Sequence, residues 1–149
     1  MSVPPRGRPG GPAGSFCWLD LAATDAAAAM RFYGQAFGWR FETQAANGGH
    51  FVRCLAGGRA VASLYPLAPA QAARGVPSHW TPYLRVAAAD AAVERVLSLG
   101  GHVVVAPFDV EGVARIALVE DGVGALLGLW QEGTAAESPA RRRRRPAGG

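Results

Sequence analysis

The chain has 149 residues, half of them hydrophobic, which is enough for one domain whose core needs neither disulfides nor metal and excludes an intrinsically disordered protein. Its formal charge of +4 comes from 15 Arg and no Lys against 11 acidic residues, yet residues 16–131 hold 8 Arg against 9 Asp or Glu. The basic character therefore sits at the ends, in Arg6 and Arg8 and in the run Arg141 to Arg145.

Cys17 and Cys54 are too few for a disulfide scaffold, and no C-x-x-C spacing suggests zinc. The first residues carry no apolar signal-peptide core, and no stretch approaches the roughly 20 apolar residues of a membrane helix, so a soluble cytoplasmic protein is expected.

In chain order, residues 1–15 are rich in Pro and Gly and are expected to be disordered. A strand over Trp18 to Ala23 leads through an Ala/Asp turn into a helix with Ala29, Met30, Tyr33 and Phe37 on one side, stopped at Gly38. Three strands follow, Trp39 to Gln44, His50 to Leu55 and Arg59 to Tyr65, with Asn47-Gly48-Gly49 and Gly57-Gly58 as hairpin turns. Pro66 to Pro77 reads as a linker.

Shifted by 63 positions, the order recurs. A strand over Thr81 to Val86 precedes a helix carrying Ala92, Val93 and Val96, which meets Gly100-Gly101. Strands His102 to Ala106, Arg115 to Glu120 and Ala125 to Gln131 complete it. The expected architecture is α+β: two βαβββ modules, 16–65 and 79–131, joined by residues 66–78 and forming a cupped mixed sheet with helices on its convex side. Residues 132–149 form an Arg-rich tail that reads as disordered; no aromatic residues interleave the run Arg141 to Arg145, so a solvated tail is expected rather than a nucleic-acid site.

The motifs WLDLAATDAAAAMRFYGQAFGW, YLRVAAADAAVERVLSLGGHV and EDGVGALLGLWQ resemble the vicinal oxygen chelate superfamily, the glyoxalase, bleomycin-resistance and extradiol-dioxygenase group, over residues 16–131. The resemblance implies paired modules around a small-molecule pocket. It also implies metal-ligand positions in the first and last strand of each module, which fall on Trp18, Ala62, Thr81 and Gly128, with Ala62 uncertain by one residue. None of these is a competent ligand, so no metal cofactor is expected.

Period-2 alternation puts Trp18, Asp20 and Ala22, with Thr81, Tyr83 and Arg85, on the cup side, and Leu19, Leu21, Leu84 and Val86 against the helices. The same frame turns Leu126, Gly128 and Trp130 inward. Trp18, Asp20, Tyr83, Arg85, Gly128 and Trp130 are therefore the ligand-binding candidates: aromatic walls for a planar ring, Arg85 for an acidic or carbonyl oxygen, and Gly128 as space for close approach. The plainer reading pairs Asp20 with Arg85 inside the cup and lets Trp18 fill it as core. Cys17, expected on the face opposite Trp18, and Cys54 read as structural thiols.

Three functions compete. The first is metal-independent binding of an aromatic or carbonyl-bearing small molecule, in a resistance, catabolic or biosynthetic accessory role, to which a metal-free enzyme with Asp20 as general base and Arg85 stabilising an enolate-like oxyanion is the catalytic counterpart. The second is a divalent-metal lyase, isomerase or dioxygenase with unusual ligands such as His79 with Glu120 or Asp121. The third is partner binding through the Arg run. A homodimer is expected, since folds of this kind pair modules between chains.

Overall fold

The computed structural model describes residues 11–46 and 49–133. The elements run β1 (Phe16–Ala23), α1 (Ala26–Phe37), β2 (Arg40–Ala46), β3 (Gly49–Ala56), β4 (Arg59–Pro66), α2 (Pro69–Ala73), β5 (His79–Arg85), α3 (Ala89–Ser98), β6 (His102–Val110), β7 (Ala114–Glu120) and β8 (Leu126–Glu132). Each expected βαβββ unit is present. The segment read as a linker additionally forms α2, started by Pro69, whose missing N–H costs nothing at a helix's first position. Asn47, Gly48, residues 1–10 and the tail with Arg141 to Arg145 lie outside the described residues.

All eight strands join one curled mixed sheet in the order β2-β3-β4-β1-β5-β8-β7-β6. The modules meet at its centre, where β1 and β5 pair antiparallel with Trp18 opposite Tyr83 and Asp20 opposite Thr81. Within each module the first and last strands are parallel, β1 with β4 and β5 with β8. The pairing reaches back beyond β1: Gly14 N–H donates to Arg85 O at 2.7 Å, and Arg85 N–H to Ser15 O at 2.9 Å. The end of the Pro/Gly leader, expected to be disordered, is thus tied to β5.

Helix α1 is bounded as its sequence dictates. The Asp25 carboxylate accepts from Ala28 N–H at 3.0 Å, and Gly38 closes the helix in the left-handed region at φ 72°. Ala29, Met30 and Tyr33 pack on Leu21, Cys54, Ala62 and Leu64. Phe37, assigned by periodicity to the same side, is 65% exposed because it lies in the helix's last turn, past the edge of that cluster. Helix α3 lacks a side-chain cap of its own; Gln131 of β8 supplies one, its Oε1 accepting from Ala89 N–H at 2.8 Å.

Val93 packs with Ala117, Val119 and Leu129. Register places both helix-packed clusters on one face of the sheet, because Leu21 pairs with Leu64 and Leu84 with Leu129. Trp18, Ala60, Tyr83, Ala114 and Trp130 form the opposite, concave cluster. No helix among the described residues is long and apolar enough to cross a membrane.

Candidate functional site

The concave face is organised in cross-strand rows. One row is polar across five strands: Glu42 pairs with Arg53, Arg53 with Ser63, Ser63 with Asp20 and Asp20 with Thr81. The adjacent row runs Trp18, Tyr83, Gly128 and Leu118. Asp20 links the two rows. Its carboxylate accepts from Ser63 Oγ at 3.0 Å and from Tyr83 OH at 3.2 Å, while Ser63 Oγ accepts from Trp18 Nε1 at 2.8 Å.

Burial dominates the electrostatics of this centre. Desolvation outweighs the two donated hydrogen bonds and the nearby His79, and pushes the Asp20 carboxyl up to about 7. The Tyr83 phenol is driven upward by burial and by the Asp20 charge beside it. Tyr65, whose strand neighbour is Ala22, is raised to about 12 for the same two reasons. Thr81 Oγ1 is buried with no hydrogen-bond partner among the described residues. A carboxyl that titrates near neutrality thus sits opposite a buried hydroxyl with unused capacity.

The expected pairing of Asp20 with Arg85 is not formed. Arg85 instead contacts Glu132 at 3.3 Å, two inward positions along β5 from Thr81, the residue opposite Asp20. Asp20 takes the hydroxyls of Ser63 and Tyr83 as its donors. Arg53, which sequence reasoning passed over, is the deeply buried cation of the polar row, and its ion-pair partner is Glu42 of the edge strand. Its signal was an arginine in the middle of the run HFVRCL, at an inward position of a strand.

Trp18 is 9% exposed, with its ring centroid 6.2 Å from that of Trp130, which in turn meets Tyr83 edge-on at 6.0 Å. Trp18 therefore packs among the aromatic side chains of the cup. Gly128 has a local cause too. A Cβ there would come within 2.3 Å of the Tyr83 ring, so the space it leaves is already taken by Tyr83. Ala62 belongs to the cluster under α1, and the cup position in β4 is Ser63; the β3–β4 register slips between Cys54 and Leu55, which a count from Gly58 does not see.

Cys17, expected opposite Trp18, packs against the Trp18 cluster and donates from Sγ to Tyr83 O at 3.6 Å. The bulge between Phe16 and Trp18 breaks the alternation there. Leu19, expected against the helices, is 47% exposed. Burial raises the Cys17 thiol to about 11 and the Cys54 thiol to about 12, so neither is a thiolate near neutral pH.

Comparison with known proteins fits this architecture: residues 15–129 match the Glyoxalase/Bleomycin resistance protein/Dioxygenase superfamily. The chain belongs to that superfamily. Its similar relatives include the glyoxylase-like CFP32 of Mycobacterium tuberculosis, 39% identical over 116 residues, covering 76% of this chain and 44% of that protein. Another is the anthracycline biosynthesis protein DnrV of Streptomyces peucetius, 34% identical over 136 residues, covering 84% of this chain and 48% of DnrV. The chain thus spans about half the length of the curated relatives it matches.

Among solved structures, methylmalonyl-CoA epimerase from M. tuberculosis shares the fold at TM-score 0.59 and 18% identity, covering 81% of this chain and 89% of the epimerase. The Bacillus halodurans protein BH1468 does so at 0.59 and 15%, covering 85% of this chain and all of that one. Of the positions where the resemblance implies metal ligands, Trp18 and Gly128 carry no group that binds an ion, and Thr81 has a buried hydroxyl. Trp18 spends its only polar hydrogen on Ser63, Ser63 donates to Asp20, and Gly128 offers no side chain. Among the described residues no three His, Cys, Asp or Glu side chains gather to hold an ion. Asp121, a candidate ligand by sequence, accepts from Val123 and Ala125 N–H at 2.9 Å, and those bonds hold its carboxyl below the usual range.

Proposed function

We propose that the protein binds a planar, carbonyl-bearing or aromatic small molecule without a metal, acting as a cytoplasmic accessory to catabolic, resistance or biosynthetic chemistry. The observation that carries this reading is the buried centre of the cup. Asp20, raised to about 7, and Thr81 Oγ1, buried without a partner, offer a donor and acceptor pair beside the Trp18, Tyr83 and Trp130 rings. The relative named for anthracycline biosynthesis supports an aromatic ligand. A Streptomyces coelicolor epimerase of this fold in complex with 2-nitronate-propionyl-CoA supports a small-molecule site.

The candidate residues take distinct roles. Asp20 and Thr81 receive a ligand oxygen, Trp18, Tyr83 and Trp130 supply the wall, Gly128 leaves room for the Tyr83 ring, and Arg85 with Glu132 closes the end of the cup.

A second reading rests on the same carboxyl. At about 7, Asp20 can hold or release a proton at working pH and so serve as general base for a carbonyl substrate, with the Thr81 hydroxyl, buried without a partner among the described residues, donating to the developing oxyanion.

Titration with a panel of aromatic ketones and quinones, read by tryptophan emission in protein freed of metal by chelation, separates the readings. Binding is expected without metal, with at least tenfold loss in Asp20→Asn. A tryptophan signal that ignores the whole panel, or that returns only with a divalent ion, overturns the proposal. Turnover with a pH midpoint near 7 that vanishes in Asp20→Asn selects the second reading.

A further inference from the structure

Strands β1 and β4 are neighbours, but their ladder begins only at Asp20 opposite Ser63. Residues 16–19 of β1 and 59–62 of β4 lie outside it, so the sheet parts before the polar row. A cavity of about 230 Å³ lies in that gap, lined by Phe16, Cys17, Trp18, Leu19 and Val61. Trp18 comes from the concave face and Leu19 from the helix face, while Val61 is the extra residue where the β3–β4 register slips, so the cavity lies at a break in the strand pairing.

Its lining has no charged side chain, and its rim keeps Phe16 at 69% and Val61 at 37% exposure, large apolar groups held in water at the mouth of an apolar hole. The thiol of Cys17 is neutral and turned to Tyr83 O.

We propose that this gap is a binding site for an uncharged planar aromatic molecule of about two fused rings. Volume sets the class, since a cavity of about 150 Å³ accommodates benzene. The proposal deepens the reading above and rests on its aromatic ligand. It places the ring between β1 and β4, against Trp18, one hydrogen-bonded step from the Asp20 centre of the cup. A ligand held there touches the indole whose N–H feeds Ser63 and Asp20, so ring binding and the state of the buried carboxyl are joined through one side chain.

Quinoline is the probe, followed by ¹H–¹⁵N correlation spectra of the full chain, with the Trp18 indole signal assigned by Trp18→Phe. Dose-dependent shifts are expected at the Phe16 to Leu19 and Val61 amides and at the Trp18 indole. Affinity is expected to fall at least tenfold in Val61→Trp, which fills the gap from an exposed position. Leu19→Glu, which puts a charge at the rim, gives the same loss and serves if Val61→Trp does not fold. Unchanged affinity in a folded variant, or shifts confined to Tyr83, Gly128 and Trp130, overturns the gap as the site while leaving small-molecule binding in the cup intact. No shift anywhere at millimolar quinoline also overturns it; the ketone and quinone panel then decides separately whether the protein binds aromatic ligands at all.

Discussion

At the scale of single residues, Asp20 is the group whose chemistry depends most on the fold. Its ordinary value of 3.8 moves to about 7 because burial penalises the charge more than Ser63 and Tyr83 relieve it. A carboxyl with a raised native value binds its proton more tightly when folded, so its contribution to stability is full below about 4 and is lost as pH climbs through about 7. The change is on the order of a few kcal/mol. Urea unfolding at pH 5, 6, 7 and 8 is expected to show stability falling with pH in the wild type and a flatter profile in Asp20→Asn; parallel profiles would place the titration elsewhere. Ser63→Ala tests the next link. It strands the Trp18 indole N–H and removes a donor to Asp20, with an expected cost of about 1 to 3 kcal/mol and a shifted tryptophan emission maximum. The sequence showed that Asp20 faces inward; that its partners are Ser63 and Tyr83 rather than Arg85 was not legible, because both donors arrive from other strands at a register set by tertiary pairing.

Elements were the more legible level, since their cues are local. Asp25 and Gly38 bracket α1, and paired glycines mark the β3–β4 hairpin, so the strand and helix order of both modules followed from periodicity and turns. What escaped were interruptions of that periodicity. The bulge at Cys17 and the slip between Cys54 and Leu55 each move a side chain to the other face without any sequence cue, and they account for the misplacement of Cys17 and Ala62. Gly128 shows how a strand position is fixed from across the sheet. The Tyr83 ring lies over it, 2% exposed, with its hydroxyl held by Asp20, and so cannot swing clear of an added methyl. Gly128→Ala is expected to cost about 1 to 3 kcal/mol by overpacking. The adjacent Leu129→Val on the helix face leaves Tyr83 untouched, and circular dichroism melts of the two variants check the contrast. If Gly128→Ala melts no lower than wild type, β8 has room that the packing denies.

For the whole molecule, the decisive contact is the pairing of β1 with β5. It joins the modules by hydrogen bonds at the centre of the sheet, not by a surface that can separate, and the Trp18, Tyr83 and Trp130 cluster is built from both halves. The Asp20 network crosses the same line through Tyr83, and the end of the leader is tied to Arg85 of the second module. Neither half alone buries its share of the concave aromatics, so the two repeats are one cooperative unit despite their sequence symmetry. Thermal or urea unfolding is therefore expected as a single transition, with far-ultraviolet dichroism and tryptophan emission giving the same midpoint. The fragments 11–78 and 79–133 are expected to remain unfolded when expressed apart. A fragment that folds alone, or two midpoints in the intact chain, would show that the module rather than the pair carries the stability, and the buried centre proposed as the ligand site would then lie at a separable interface.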